Sequence, residues 1–297
     1  MNNRKNDPKS LGMFLASMVI FGSVGLFRRN LPLSSAFLAF SRGLLGGGFV
    51  LAFMLLKKRG GEPLSRRAFL WLALSGAFIG INWILLFEAY NHTSVAVATL
   101  CYYMQPTIVI LLSPLVFRER LTAKKAACAA LAVLGMVLVS GVTGGEAANL
   151  KGILLGLGAA VFYSAVVIMN KKAGGIDAFR KTAVQLFAAG IAMVPYLLLS
   201  RGGAGGDFTP GTVALLLAMG LVHTGIAYAL YFGSMDGMRA QSVAILSYAD
   251  PVFALFFSAV FLREPLSLPC ILGAVLIIGS AVAAEIPPGR KRTPKGR

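Results

Sequence analysis

The sequence predicts an all-α membrane protein in which ten transmembrane helices form two inverted five-helix repeats. Three observations lead to this fold class: the residue composition, the spacing of the apolar runs and a motif that occurs twice. The 297 residues are 57% hydrophobic and only 13% charged. Soluble domains have about 25% charged residues, so this chain lacks the charges that would cover a water-facing surface.

The hydrophobic residues fall into ten runs separated by short polar segments. Runs of about 20 apolar residues match the roughly 30 Å hydrocarbon core of a bilayer. The segments between them leave no room for a separate soluble domain. The runs, numbered here as spans one to ten, lie at residues 11–27, 35–56, 69–89, 95–116, 124–142, 152–169, 182–199, 212–232, 243–261 and 268–286.

A proline followed by a charged motif occurs twice, at an offset of 145 residues. Pro106 is followed by Arg-Glu-Arg-Leu at 118–121, and Pro251 is followed by Arg-Glu-Pro-Leu at 263–266. Each copy closes one apolar run and precedes another. A match of this kind at a fixed offset indicates that one unit is present in duplicate.

The duplication predicts how the two halves are oriented. Each half contains five runs, and because five is odd, the second copy must be upside down relative to the first. We predict a first repeat at residues 1–145 and an inverted second repeat at 146–297. Glycines and polar residues interrupt the apolar pattern at 141–151, where the halves meet.

The basic residues predict the orientation in the membrane. The formal net charge is +17, which in a soluble protein would suggest nucleic acid as a partner. Alternating the loops from a cytoplasmic N-terminus places 22 of the 28 Lys and Arg residues inside and five outside. This asymmetry follows the positive-inside rule. It predicts a plasma (inner) membrane protein with both termini cytoplasmic and the lipid bilayer, not nucleic acid, as its partner.

Polar residues beside the two prolines are unexpected within apolar spans. Gln105-Pro106 and Asp250-Pro251 lie near the middle of spans four and nine. A proline inside a helix removes a backbone hydrogen bond and bends the helix, so we expect two kinked helices whose carbonyls at Tyr102 and Ser247 are freed. In an inverted pair the kinks face each other near the midplane. The alternative is that the two prolines only shape the helical bundle and take no part in a site. The lone Asp250 carboxylate must be protonated or paired there.

Two further polar groups lie deep in spans. Arg42 lies about seven residues into span two, and its guanidinium stays charged. A structural ion pair with Glu88, a substrate or gating role, and snorkelling to the interface all remain open. His223 in span eight is either a satisfied core residue or a proton carrier. No second metal-ligating residue accompanies His223, so we predict no metal site and no cofactor.

Aromatic residues cluster near these points, away from the headgroup region where Trp and Tyr usually collect. They line a cavity or pack in the core, and the sequence does not distinguish the two. If they line a cavity, it suits a ring, a flat group or a cation. The cluster comprises Trp83, Tyr102, Tyr103, Tyr163, Tyr228 and Tyr248. The predicted substrate-binding set is Arg42, Asn82, Trp83, Glu88, Tyr102, Tyr103, Gln105, His223, Tyr228, Ser247, Tyr248 and Asp250.

The mid-span proline followed by Phe/Leu-Arg-Glu-x-Leu, at 117–121 and 262–266, resembles the EamA family of the drug/metabolite transporter superfamily. The resemblance covers essentially the whole chain. It implies a helical bundle with a central cavity, alternating access, and transport of small organic metabolites, commonly the export of amino acids. The shared motifs do not specify the substrate.

The leading hypothesis is therefore a secondary transporter with a midplane site between spans three, four, eight and nine. An amino acid and a quaternary ammonium such as choline are the competing substrate classes. Asp250 or Glu88 is the candidate for proton coupling, and coupling to a proton or another cation is left open. No Walker motif is present, and no metalloprotease or serine-hydrolase motif predicts an enzyme. A channel or purely structural role is a minor alternative, and the oligomeric state is open.

Overall fold

The computed structural model is helical throughout the part of the chain that it describes, with no strand in that part. It describes residues 7–57, 64–118, 121–139, 150–173, 175–199, 203–235, 238, 243 and 246–286. The Glu-Arg pair of the first motif, most of the predicted boundary at 141–151 and the basic C-terminus lie outside these residues. In chain order the helices are α1 (Pro8–Gly22), α2 (Val24–Arg29), α3 (Ser35–Leu56), α4 (Arg66–His92), α5 (Val95–Tyr102), α6 (Gln105–Phe117), α7 (Ala123–Val139), α8 (Leu150–Lys172), α9 (Ala178–Ala192), α10 (Val194–Leu199), α11 (Pro210–Leu217), a π-helix termed the π segment (Ala218–Ile226), α12 (Ala227–Met235), α13 (Ala249–Phe261) and α14 (Leu268–Glu285).

The helices are those of an integral membrane protein. Within the described ranges, seven helical stretches are long and apolar enough to cross a bilayer, and two shorter apolar helices, α13 and most of α14, accompany them. Leu55, Leu115 and Leu199 are each at least 70% exposed, as suits side chains that face lipid. Each of the ten apolar runs overlaps a helix, but the count of ten spans stays a prediction.

Short polar side chains start many of the helices. The hydroxyls of Ser34, Ser65, Ser94 and Ser267 each accept a hydrogen bond from the backbone N–H three residues on, at 3.1–3.4 Å. Such a cap satisfies one of the N–H groups that a helix N-terminus leaves unpaired. Serines in the loops between apolar runs therefore mark where these four helices begin.

Helices α3 and α9, in spans two and seven, pack closely through glycines. A Cβ atom on Gly43 would lie 2.5 Å from the backbone nitrogen of Gly190, and one on Gly47 would lie 3.3 Å from the ring of Phe187. Position 190 thus faces 43, and position 187 faces 47. The two helices run antiparallel where they cross.

Helices α7 and α14, in spans five and ten, form a second such pair. Lys124 Nζ donates a hydrogen bond to the carbonyl of Ile286 at 2.5 Å. Further along, a Cβ on Gly135 would lie 2.7 Å from the carbonyl oxygen of Gly273. The start of α7 therefore lies at the end of α14, so this pair is antiparallel as well.

Span four has an irregular turn just before its proline. α5 ends at Tyr102 and α6 begins at Gln105, with Pro106 in the first turn of α6. The N–H groups of Tyr103 and Met104 donate to the carbonyls of Thr99 and Cys101, so residues 95–116 remain one helical stretch, and the expected kink at Pro106 stays a prediction. The first turn of α6 needs no N–H from proline and accommodates its ring. A different proline, Pro114, lies inside α6.

In span nine the second proline lies in the first turn of α13. Pro251 is the third residue of α13 and is buried. The expected free carbonyl at Ser247 is wrong, because this oxygen accepts a hydrogen bond from the N–H of Asp250 at 3.3 Å. Both halves thus place the first turn of a helix, α6 or α13, at the depth of the proline.

Candidate functional site

An internal cavity of about 590 Å³ lies among helices from both halves of the chain. Sites for small molecules commonly enclose about 300–1,000 Å³. Helices α1 to α6 contribute from the first half, and α8, α9, α12 and α13 from the second. The predicted residues that line the cavity are Arg42, Trp83, Tyr102, Tyr103, Gln105, Pro106, Tyr228, Ser247, Tyr248 and Asp250.

The structure places Asn82 and Glu88 outside the cavity wall. Asn82 is buried and donates a hydrogen bond to the carbonyl of Ala159 at 2.7 Å, which connects α4 to α8. The carboxylate of Glu88 accepts a hydrogen bond from Asn91 Nδ2 at 3.4 Å. The ion pair between Glu88 and Arg42 that the sequence suggested is wrong, because Arg42 has other partners.

His223 also lies away from the cavity and has partners for both ring nitrogens. Its Nε2 lies 2.9 Å from the hydroxyl of Ser23, and its Nδ1 lies 3.1 Å from the carbonyl of Ala218. The ring of Phe27 packs against it at 4.3 Å between centroids. These contacts are those of a satisfied core histidine that joins α1 to the π segment.

Arg42 is a buried cation in the cavity wall, with 4% of its surface exposed. Its Nε donates a hydrogen bond to Thr224 Oγ1 at 3.0 Å. The guanidinium carbon lies 4.6 Å from the centroid of the Trp83 ring and 5.4 Å from that of Phe87. The negative faces of these rings stabilise the cation without neutralising it.

The π segment holds the acceptor for Arg42 in place. Thr224 donates its own hydroxyl to the carbonyl of Met219 at 2.9 Å, five residues back. His223 reaches the carbonyl of Ala218 across the same spacing. In a π-helix, carbonyls five residues back accept the hydrogen bonds of the backbone. This geometry is rare overall but occurs often at functional sites. The hydroxyl lone pair of Thr224 is thereby left for Arg42 Nε.

Asp250 connects the segments next to the two prolines. The hydroxyl of Tyr103, just after the end of α5, donates a hydrogen bond to the Asp250 carboxylate at the start of α13. In the described part of the chain, no Lys, Arg or His forms an ion pair with Asp250. The carboxylate thus keeps an unused oxygen at the cavity.

Aromatic rings cover much of the cavity wall between these groups. The Tyr102 ring lies 5.5 Å from those of both Tyr103 and Tyr163. On the other side, Tyr228 stacks on Phe232 at 5.8 Å, with an angle of 10° between the planes. Contacts at these distances suit aromatic pairs, and the exposed ring faces present a surface for an apolar or cationic group.

The sequence analysis did not identify a cluster of polar residues that lines one end of the cavity. Asn170, Thr182 and Gln185 line this end, and Gln185 Nε2 donates a hydrogen bond to Asn170 Oδ1 at 2.8 Å. The apolar pattern ends just before Asn170 and resumes at Thr182, so hydropathy alone places both at span ends. Tyr90 and Thr99 line the cavity too.

A polar tie, termed the Glu264 tie, connects three helices near the other end. The carboxylate of Glu264 accepts hydrogen bonds from Arg29 at 3.0 Å, from the N–H of Val95 at 2.9 Å and from the hydroxyl of Ser258. Val95 is the first residue of α5, and Ser258 lies in α13. The recurring motif thus fastens the end of α13 to the start of α5, and these helices also run antiparallel.

The sequence of this helical chain matches a known family twice. The EamA-like transporter family matches residues 9–141 and again residues 150–284. The chain belongs to the EamA-like transporter family. The double match agrees with two repeats in EamA proteins, while the boundary at 145/146 stays a prediction.

Relatives of this EamA chain are named transporters. "Uncharacterized transporter YxxF" of Bacillus subtilis (strain 168) is 30% identical over 265 residues, 88% of this chain and 84% of that protein. "Probable amino-acid metabolite efflux pump" of Salmonella typhimurium is 31% identical over 193 residues, 61% of this chain and 64% of that protein. One solved crystal structure superposes with a TM-score of 0.64 at 19% identity, over 94% of this chain and 99% of that one. This last likeness concerns the fold alone.

Proposed function

We propose that this EamA protein is a secondary transporter that carries a small organic metabolite across the plasma membrane by alternating access. The observation that best supports this function is the cavity, because helices of both halves surround it with charged and aromatic side chains. Transporters built from inverted repeats bind their substrates at the interface between the repeats. The proposed activity is transport without chemical conversion of the substrate.

The proposal includes ten spans in two inverted repeats, 1–145 and 146–297. Equivalent helices that pack on each other support it. A twofold axis along the membrane normal would make such helices parallel, whereas an axis in the membrane plane makes them antiparallel. The pairs α3 with α9, α7 with α14 and α5 with α13 are antiparallel. Tags on the two termini that are both protected from protease outside intact cells would support the orientation, and an accessible tag would contradict it.

The substrate class that the cavity supports best is an amino acid or a related compound. Its carboxylate would meet Arg42, and its apolar side chain would lie against the tyrosines. A relative named as an amino-acid metabolite efflux pump adds support. Choline-like quaternary ammonium compounds are the second candidate, because Tyr102, Tyr228 and Asp250 suit a cation. These compounds lack an anionic group that could bind Arg42. A thermal-shift panel of both compound classes therefore separates the candidates.

Proton coupling through Asp250 is the mechanistic part of the proposal. A carboxylate in a water-poor site can exchange a proton as the cavity opens to either side. We expect a pH gradient to accelerate substrate uptake into proteoliposomes, and Asp250→Asn to abolish that acceleration. Asp207→Asn, which removes an exposed carboxylate distant from the cavity wall, serves as the control. An Asp250→Asn protein with full gradient-stimulated transport would refute coupling at this residue.

A further inference from the structure

We infer that the first turns of α4 bind the headgroup of one anionic phospholipid on the lipid-facing surface of the bundle. In this site Arg66 and Arg67 hold the lipid phosphate. Leu70 and Leu74, one and two turns further along the helix, contact the start of an acyl chain. The inference goes beyond the proposed transport activity, because the site lies outside the cavity and its ligand is a component of the membrane.

The first argument is a recess on the surface of α4, termed the α4 recess. It encloses about 500 Å³, within the range of about 300–1,000 Å³ that is common for small-molecule sites. Arg66, Arg67, Leu70, Trp71 and Leu74 line it, and all five side chains are exposed. None of them belongs to the wall of the internal cavity. The α4 recess can therefore take a ligand that approaches from outside the bundle.

The second argument is the depth of the α4 recess in the bilayer. α4 is long and apolar enough to cross a membrane, and Arg66 and Arg67 are its first two residues. The seven residues from Arg67 to Leu74 rise by about 10 Å along the helix. The headgroup region on each side of the hydrocarbon core is only about 5–8 Å thick. Arginines at the level of the headgroups therefore place Leu74 in the hydrocarbon. A phospholipid, unlike a soluble anion, occupies both levels.

The third argument is that the described protein supplies no counter-charge for the α4 recess. Neither guanidinium has a hydrogen bond or an ion pair with a residue in the part of the chain that the structure describes. The first turn of α4 contains no acidic residue. Each guanidinium presents a fork of N–H donors that matches the oxygens of a phosphate. An anionic phospholipid supplies the missing charge, whereas phosphatidylcholine carries a cation of its own beside the phosphate.

The end of α8 lies beside the α4 recess and adds to its positive charge. The indole N–H of Trp71 donates a hydrogen bond to the carbonyl of Met169 at 3.1 Å, which fixes the ring against α8. The last turn of α8 carries Lys171 and Lys172, so these residues lie at the same level as the start of α4. Tryptophan is common at the headgroup level of membrane proteins. Because clusters of basic residues at this level attract anionic lipids, both helix ends favour the same ligand.

The test uses the fluorescence of Trp71, whose side chain is 38% exposed at the recess. The chain has two tryptophans, and the other, Trp83, is buried in the cavity wall. Trp83→Phe leaves Trp71 as the only tryptophan. The full-length protein is reconstituted into bilayers that mix phosphatidylglycerol, which is anionic, with phosphatidylcholine, and one lipid at a time carries brominated acyl chains. Bromine quenches a tryptophan that it contacts, so the two quenching curves give the ratio of the binding constants of the two lipids at the α4 recess.

Phosphatidylglycerol should bind at the α4 recess about 5- to 30-fold more tightly than phosphatidylcholine, because one or two basic residues act on its net charge. Arg66→Gln together with Arg67→Gln should abolish this preference. Lys9→Gln together with Lys151→Gln is the matched control, since it removes two exposed positive charges from α1 and α8 and should leave the preference unchanged. Equal quenching by both brominated lipids in the protein that keeps its arginines would overturn the inference, and this measurement requires no arginine variant to fold.

The variants and a soluble anion provide further ways to overturn the inference. A preference that persists without the two arginines would mean that another part of the surface selects the lipid. An equal loss in the lysine control would mean that the overall surface charge acts instead of the recess. Inorganic phosphate and glycerol phosphate are also added, each compared with sodium chloride at the same ionic strength. Quenching by brominated phosphatidylglycerol should not change, and relief of quenching by either compound would assign the arginines to a soluble anion rather than a lipid.

Discussion

Replacing Glu264 by glutamine should favour the state in which the cavity is open at the end nearest Glu264. Glutamine keeps the shape of the side chain but removes the charge that Arg29 and the N-terminus of α5 share. The Arg29 side chain is 38% exposed and that of Glu264 is 12% exposed. A partly exposed ion pair of this kind contributes about 0.5–1 kcal/mol. The interaction of a carboxylate with a helix N-terminus contributes about 1 kcal/mol more.

Together these contributions come to about 2 kcal/mol. A change of this size shifts the equilibrium between the states that are closed and open at the Glu264 end by about 30-fold. The shift is towards the state that is open at the Glu264 end, which we propose to face outside. The assay uses Thr99→Cys, because Thr99 lines the cavity near this end and is only 3% exposed. The native cysteines are replaced by alanine, and a membrane-impermeant maleimide is added to intact cells.

We expect the labelling rate of the cysteine to rise by about 30-fold when Glu264→Gln is added. Asp207→Asn removes an exposed carboxylate that takes no part in the tie, so it should leave the rate unchanged. A labelling rate that is equal with and without Glu264→Gln would refute the reasoning. So would an equal rise in the Asp207→Asn control, because the effect would then come from surface charge.

Two predictions concern stability and are read from thermal unfolding of the purified protein. Gly43→Val should lower the free energy of unfolding by about 1–3 kcal/mol, because its Cβ would lie 2.5 Å from the backbone of Gly190. Gly48→Val, on the same helix with nothing within 4 Å of the added Cβ, should change it little, and equal losses would contradict the close crossing. His223→Ala should cost about 1–2 kcal/mol through the lost contact with Ser23. Substrate affinity should be unchanged, and a large loss of affinity would return His223 to the binding site.

The sequence predicted the membrane class and several cavity residues because both depend on strong local signals. Polar groups are costly in lipid, so Arg42 and Asp250 are conspicuous within their apolar runs. The structure brings both to one cavity. The aromatic residues followed the same logic, and Tyr102, Tyr103 and Tyr228 lie in the wall.

The partners of these groups could not be predicted, because they depend on helix geometry that hydropathy does not record. Glu88 was the acid expected at the outer end of span three, on the side of the membrane where Arg42 lies, yet Arg42 binds Thr224. The π segment changes the angular positions of residues along span eight, and an apolar pattern with a regular period cannot reveal it. The prolines indicated the depth at which α6 and α13 begin but not the irregular turn before α6, since a proline can either bend a helix or begin one.

The π segment has a consequence for how the gene of this protein can vary. α12 follows the segment directly and carries Tyr228 and Tyr231 to the cavity. Losing one residue from the segment would convert a π turn into an α turn, because a π-helix bonds each N–H to the carbonyl five residues back and an α-helix to the carbonyl four residues back. α12 and its tyrosines would then keep their direction, but Thr224 and His223 would lose the wider spacing across which they reach the carbonyls of Met219 and Ala218. A change of length in this stretch therefore acts on the partner of Arg42 and not on the tyrosines.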